Sequence, residues 1–162
     1  MPPRYSPSRR ALHWLSALMI LWATFSGFGV LALPPDAPLR LWVEQFNPQA
    51  TSVFIPLFAW RCLLRWRATD GHDGQRLAHN VHLALYGLTA VVLVTGVLMM
   101  AHPVSMFGVF TLPELVYDGA WLARLHQWHH VACMLLALLV TLHLLAVAWH
   151  HLNGRRILAR ML

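Results

Sequence analysis

The chain is predicted to be all-α: a four-helix transmembrane bundle, up-down-up-down, with both termini in the cytoplasm. Three observations predict this. Of the 162 residues, 58% are hydrophobic and only 11% are charged, whereas a water-soluble domain carries roughly 25% charged residues. Four apolar stretches each approach the ~20 residues that a helix needs to cross ~30 Å of hydrocarbon. The arginines gather on one side of those stretches.

The first helix is expected over about residues 11–33. Its apolar run is too long for a cleaved signal peptide, and no small-residue cleavage site follows it. The second, about 49–66, is interrupted by Pro56 and Arg61. A membrane helix tolerates a proline where neighbours re-satisfy the freed carbonyl, and Arg61 lies near enough to the end to snorkel to the interface. The third helix is expected over about 77–101 and the fourth over about 129–152. The outer connections are then 34–48, which is proline-rich and expected to be irregular, and 102–128, in which Leu112 to Leu125 is expected to form a short interfacial helix. The whole chain, 1–162, makes a single membrane domain.

Orientation follows from the arginines. Arg4, Arg9, Arg10, Arg61, Arg65, Arg67, Arg76, Arg155, Arg156 and Arg160 fall on one side; Arg40 and Arg124 fall on the other. The positive-inside rule puts the larger group in the cytoplasm. Trp42, Trp121 and Trp128 then mark the outer interface, and Trp66 and Trp149 the inner one. The net charge is +6 with no lysine. Arginines spread between apolar runs do not form a phosphate-binding face, so nucleic acid is not a partner. Cys62 and Cys133 form no CxxC or CxxCH motif, which argues against a zinc knuckle and covalently attached haem. GxGxxG, P-loop, HExxH and GxSxG motifs are absent. The four expected spans contain no acidic residue, which weighs against a cation transporter.

The 11 histidines carry the functional signal. A histidine in a membrane span is costly unless paired, hydrogen-bonded or metal-bound. His13 lies just inside the first span and His143 about nine residues before the inner end of the fourth. On antiparallel helices these reach similar depths, where two imidazoles can clamp a haem iron from both sides. The alternative is two unrelated histidines, each bonded to a carbonyl; matching depth favours ligation. His129 precedes His143 by fourteen residues, which is ~21 Å along a helix and nearly the same face. That spacing suits two haems stacked across a bilayer. His82, one turn after His79, either faces the inner cofactor or stays at the interface. His72, His150 and His151 are expected to be solvated, as are His102, His126 and His130 near the outer surface. Gly27, Gly29, Gly87 and Gly96 read as helix packing, and Met19, Met99, Met100 and Met134 as gap-fillers rather than ligands.

The segments LHWLSA (12–17), RCLLRW (61–66), RLAHNVHLALYGL (76–88) and HPVSMFGVFTLP (102–113), with the fourth helix's two spaced histidines and its terminal HH, resemble the bacterial cytochrome b561 family. This group includes the b-type cytochrome subunits of nickel-iron hydrogenases. The resemblance covers nearly the whole chain and implies a four-helix membrane bundle with two b haems. It implies that His13 and His143 ligate the inner haem iron and that His129 ligates the outer one. The family's other outer ligand is a histidine on helix two. Its spacing from Arg61 lands on Asn47, and no histidine exists from 41 to 66. Asparagine is not a usual iron ligand. The outer haem is then absent, or held by His129 alone and open to a small molecule, or ligated by His102, His126 or His130; absence is the expectation.

A bis-His haem moves electrons and leaves no position for a substrate. The resemblance therefore implies an electron carrier of a quinone-linked respiratory chain in the bacterial inner membrane, rather than a catalyst with its own substrate. Its partners would be ubiquinone or menaquinone in the membrane pool, and a dehydrogenase or soluble cytochrome. The alternatives are a superoxide:ubiquinone oxidoreductase, which needs an outer redox centre, and a colourless scaffold or anchor subunit that has lost its cofactors. A histidine-rich metal transporter is a distant further reading.

Overall fold

The computed structural model describes residues 6–67 and 76–154. The loop histidine His72 and the tail arginines Arg4, Arg155, Arg156 and Arg160 lie outside the described residues. Four long helices dominate: α1 (Pro7–Gly29), α2 (Pro38–Trp66), α3 (Arg76–Leu98) and α4 (Gly119–Leu152). A short 3-10 turn, Val30–Ala32, follows α1, and a small hairpin, β1 (Val104–Met106) with β2 (Phe110–Leu112), stands between α3 and α4. The all-α expectation holds apart from these six strand residues.

Among the described residues, three segments are long and apolar enough to cross a membrane: Pro7–Ala32, Leu77–Leu98 and Gly119–Leu152. Their outward faces are apolar, with Leu18, Phe25, Leu83, Leu138 and Leu145 exposed, as helices surrounded by lipid require. Hydroxyls within them bond back to carbonyls one turn earlier, as Ser16 does to Leu12 (2.6 Å) and Thr24 to Ile20 (2.7 Å), so no hydroxyl proton is wasted in an apolar medium.

α2 begins at Pro38, not near residue 49, so most of the expected irregular connection 34–48 is helical. Pro38 at the first helical turn lacks an N–H that would have no partner there anyway, and its fixed φ suits a helix start. Glu44 therefore sits in a helix, where the expected spans had no acid. It pairs with Arg40 at 2.8 Å on a partly exposed face, a contact of small energetic weight. Pro48 and Pro56 both lie inside α2.

α4 begins at Gly119, ten residues before its expected start, and the separate interfacial helix over 112–125 does not form. Asp118 is the reason: its carboxylate accepts the Trp121 N–H at 2.9 Å and caps the first turn. At 34 residues α4 is roughly 50 Å long and exceeds a hydrocarbon core. The rest of the expected 102–128 loop holds the hairpin, whose register pairs Val104 with Leu112 and Met106 with Phe110. Phe107 and Gly108 both take positive φ at its tip (51° and 74°). The hairpin is anchored on α2: Phe107 N–H donates to Gln49 Oε1 at 3.2 Å, and Met106 is buried. α3 ends at Leu98 rather than 101.

Successive helices run antiparallel. Asn47 of α2 meets Trp22 and Ser26 of α1, while Arg61 meets His13. Arg61 also meets Tyr86 of α3. Thr95 of α3 meets His129 of α4, and His82 meets His143. α1 packs on α2, α2 on α3, and α3 on α4. Phe54, Phe58 and Leu93 form the buried cluster where α2 meets α3, with Met19 of α1 against it. α4 does not pack extensively on α1 or α2. A slot is left along that side of the structure.

Candidate functional site: two cavities in one slot

Two cavities occupy the slot. The end holding the start of α1 and the end of α4 is called the inner end here, after the arginine bias. The inner cavity is about 260 Å³ and the outer about 550 Å³. Ile20 and Thr89 line both, and so form the partition between them.

Every long helix contributes to the inner cavity: His13 from α1, Arg61 from α2, His82 and Tyr86 from α3, and His143 from α4. The His82 and His143 rings pack edge to face with centroids 5.5 Å apart. Arg61 is not at the interface as its position suggested. It turns inward, donates from Nε to the Tyr86 hydroxyl (2.9 Å) and reaches His13 Nδ1 (3.1 Å). A guanidinium only donates. The network therefore assigns the His13 ring proton to Nε2 in this arrangement. Arg65 lies 5.5 Å from the Tyr86 ring centroid and 3.4 Å from His79 Nδ1.

The outer cavity has mostly apolar walls; His129 on α4 and Asn47 on α2 face each other across it, and Glu44, His102, His126 and His130 also line it. The Thr95 hydroxyl donates to the Val91 carbonyl (2.6 Å), which uses its single proton. Its oxygen, 3.0 Å from His129 Nδ1, must then accept, so Nδ1 carries the imidazole proton and Nε2 presents its lone pair. The Cys133 thiol, 3.4 Å away, donates to that lone pair. Gly96 lies against the ring: a Cβ there would meet His129 Cε1 at 3.3 Å. This is the close approach that requires glycine. Gly27, Gly29 and Gly87 have no such neighbour.

Asn47 is held by α1. Its Oδ1 accepts from Trp22 Nε1 at 3.0 Å and lies 3.0 Å from Ser26 Oγ, whose single proton is shared with the closer Trp22 carbonyl at 2.7 Å. Asn47→Leu strands the indole N–H in an apolar setting, a loss of ~1–3 kcal/mol. The detergent-solubilised variant is expected to melt several degrees below the parent; coincident melting curves would show that this tie carries no stability.

The structure thus brings His13, His82 and His143 together at one end and sets His129, the one half-buried histidine of the outer cavity, at the other. His126 and His130 are exposed at the outer rim; His126 Nδ1 bonds the Leu122 carbonyl (2.9 Å) and His130 packs on Phe28. His102 is also exposed at this rim. His151 is exposed and His150 half-buried. Sequence reasoning missed Tyr86, Thr95, Cys133, Trp22 and Ser26, and misread Arg61. A charged residue inside an apolar run was the available signal for Arg61.

An apolar helical protein with imidazoles turned into internal cavities at two depths belongs to the class of membrane cytochromes. The sequence profile of the prokaryotic cytochrome b561 family matches residues 4–162, and the chain belongs to that family. It is similar to cytochrome b561 homolog 2 of Escherichia coli (strain K12), with 27% identity over 178 aligned positions covering 99% of this chain and 92% of that protein. Family membership makes it a b-type cytochrome of electron transfer in a lipid bilayer.

Proposed function

We propose that the chain is a multi-pass cytochrome of the bacterial inner membrane, carrying electrons in a quinone-linked respiratory chain through a haem b bound in the inner cavity. The observation that carries this reading is the placement of His13 and His143. They line one cavity from α1 and α4, two helices that do not pack closely on each other. The cavity also fits the rest of a haem: Phe58, Leu85 and Val140 give apolar walls, and Arg9, Arg61 and Arg65 line it as cations for the two propionates. His13 and His143 would hold the iron, and His82, packed on His143, would orient that ring. His13 would hold the group with its ring proton on Nδ1, and Arg61, which now meets that nitrogen, would then be free to pair with a carboxylate. Held between two imidazoles, the group supplies one-electron transfer and offers no coordination position to a substrate.

α2 serves as the fourth span. Its composition is less apolar than that of its neighbours because Asn47 and Arg61 turn inward, to Trp22 and His13. Polar groups satisfied inside the protein do not meet lipid. The arginine bias supports both termini in the cytoplasm. The electron donor or acceptor is the membrane ubiquinone or menaquinone pool, with a dehydrogenase or soluble cytochrome at the other end.

Full-length protein in detergent is expected to yield b haem by pyridine haemochrome assay. Anaerobic addition of a short-chain ubiquinol or menaquinol analogue should reduce it within seconds. A colourless preparation would favour the scaffold reading; haem that neither quinol reduces would remove the quinone link.

A further inference from the structure

We propose that the outer cavity binds a second haem b through His129 alone, and that the iron face toward Asn47 stays open to a small exogenous ligand of the carbon monoxide, nitric oxide or oxygen type. This rests on the chain's being a b-type cytochrome. The inner haem reading survives if it fails.

Asn47 stands in place of a second imidazole, and loss of the outer site was the expectation from that substitution. The geometry points elsewhere. The outer cavity is the larger of the two, about 550 Å³ against 260 Å³, and it lies in the same slot beside α4. His129 is prepared as a ligand. Thr95 fixes the proton on Nδ1 and leaves the Nε2 lone pair on the cavity side, where its partner is the weak Cys133 thiol donor that iron would displace. Gly96 lets the ring lie against α3, which sets its orientation. By contrast, His13 still has Arg61 on its Nδ1.

Across the outer cavity from α4, the lining residues of α1 and α2 include no histidine, and His102, which also lines the cavity, is exposed at the rim beyond the end of α3. His126 and His130 share α4 with His129, so they approach from the same side. His126 Nδ1 is bound to the Leu122 carbonyl, and His130 follows His129 directly, about 100° round the helix. Asn47 lines the far wall with its oxygen turned to α1 by Trp22 and Ser26. Its amide Nδ2 has no acceptor among the described residues. An amide N–H₂ does not bind iron, but it donates to the outer atom of a ligand that does. The cavity offers an imidazole that would hold the iron from one wall and a hydrogen-bond donor from the other.

The probe is carbon monoxide, added to dithionite-reduced full-length protein in detergent. The expected result is close to two haems per chain by pyridine haemochrome, with carbon monoxide shifting the spectrum of about half the haem. His129→Ala is expected to bring the ratio down to about one and abolish the shift. Asn47→His and Asn47→Met, which supply an axial ligand, should keep the second haem and weaken the carbon monoxide response at least tenfold. The unshifted inner haem in each sample reports an intact fold. Thr95→Val should weaken outer haem retention roughly 10–100-fold. Cys133→Ala should leave the response intact.

One haem per chain with no carbon monoxide response would overturn the proposal and leave the inner carrier standing. Two haems with no response would mean that a second ligand closes the site, and would overturn it too. A response that survives His129→Ala, or that disappears in Cys133→Ala, would reassign the ligand. A protein without haem would overturn this proposal together with the function on which it rests.

Discussion

His13→Ala and His143→Ala are each expected to strip the inner haem, removing its share of the reduced-minus-oxidised spectrum in membranes and in purified protein. The reason is the packing around the inner cavity. α1 rests on α2 and α4 on α3, and neither outer helix rests closely on the other. A group bridging His13 and His143 would therefore be a main tie between them, and truncating either imidazole removes one of its two bonds to iron. His82→Ala is the discriminating control. His82 lines the same cavity and touches the His143 ring, so its loss should loosen His143 and shift the spectrum while keeping most of the haem. If His82→Ala strips the haem and His13→Ala retains it, the ligand pair is His82 with His143 and the α1–α4 bridge is wrong. If all three variants keep the full spectrum, no haem is bound at this cavity.

The histidines were legible because they break a pattern. In spans this apolar, a ring at position 13 or 143 needs a reason, and matching depth is what suggests the two residues that line one cavity. The beginnings of α2 and α4 were legible in principle. Pro38 and Asp118 are helix-start residues, but the prolines of 34–48 point to an irregular connection, and Leu112 to Leu125 reads as a separate interfacial helix. The hairpin was hidden for a different reason. Its two strands are three residues each, too short for alternation to register, and what holds it is a distant side chain, Gln49 of α2.

Thr95 and Cys133 could not be read at all, and Gly96 only as one of four glycines suited to helix packing. Each is an ordinary small residue in an apolar helix, and each gains its role only when α3 and α4 dock and place His129 among them. Asn47 is the intermediate case. Family resemblance marked it as a substitution, yet only the fold shows that Trp22 and Ser26 turn its oxygen away from the outer cavity. The departure from the family was visible in sequence; what the departure does was not.

Arg61→Gln is expected to lower the midpoint potential of the inner haem by on the order of 50–100 mV. Arg61 lines the inner cavity and is held there by Tyr86 and by His13. Reduction adds one negative charge to the haem, so a fixed positive charge beside it favours the ferrous state. A unit charge at about 8 Å in an effective dielectric of about 20 contributes about 2 kcal/mol, or about 90 mV for a one-electron couple. Partial exposure and salt screening reduce that figure. Glutamine keeps a donor for the Tyr86 hydroxyl, so the variant isolates the charge. Arg65, also half-buried but bonded toward His79 near the start of α3, should give a smaller shift of the same sign when changed to Gln. Redox titration of the purified variants measures both. An unchanged or raised potential in Arg61→Gln would mean that the guanidinium does not act on the haem electrostatically. Its contacts to His13 and Tyr86 would then be the whole of its role.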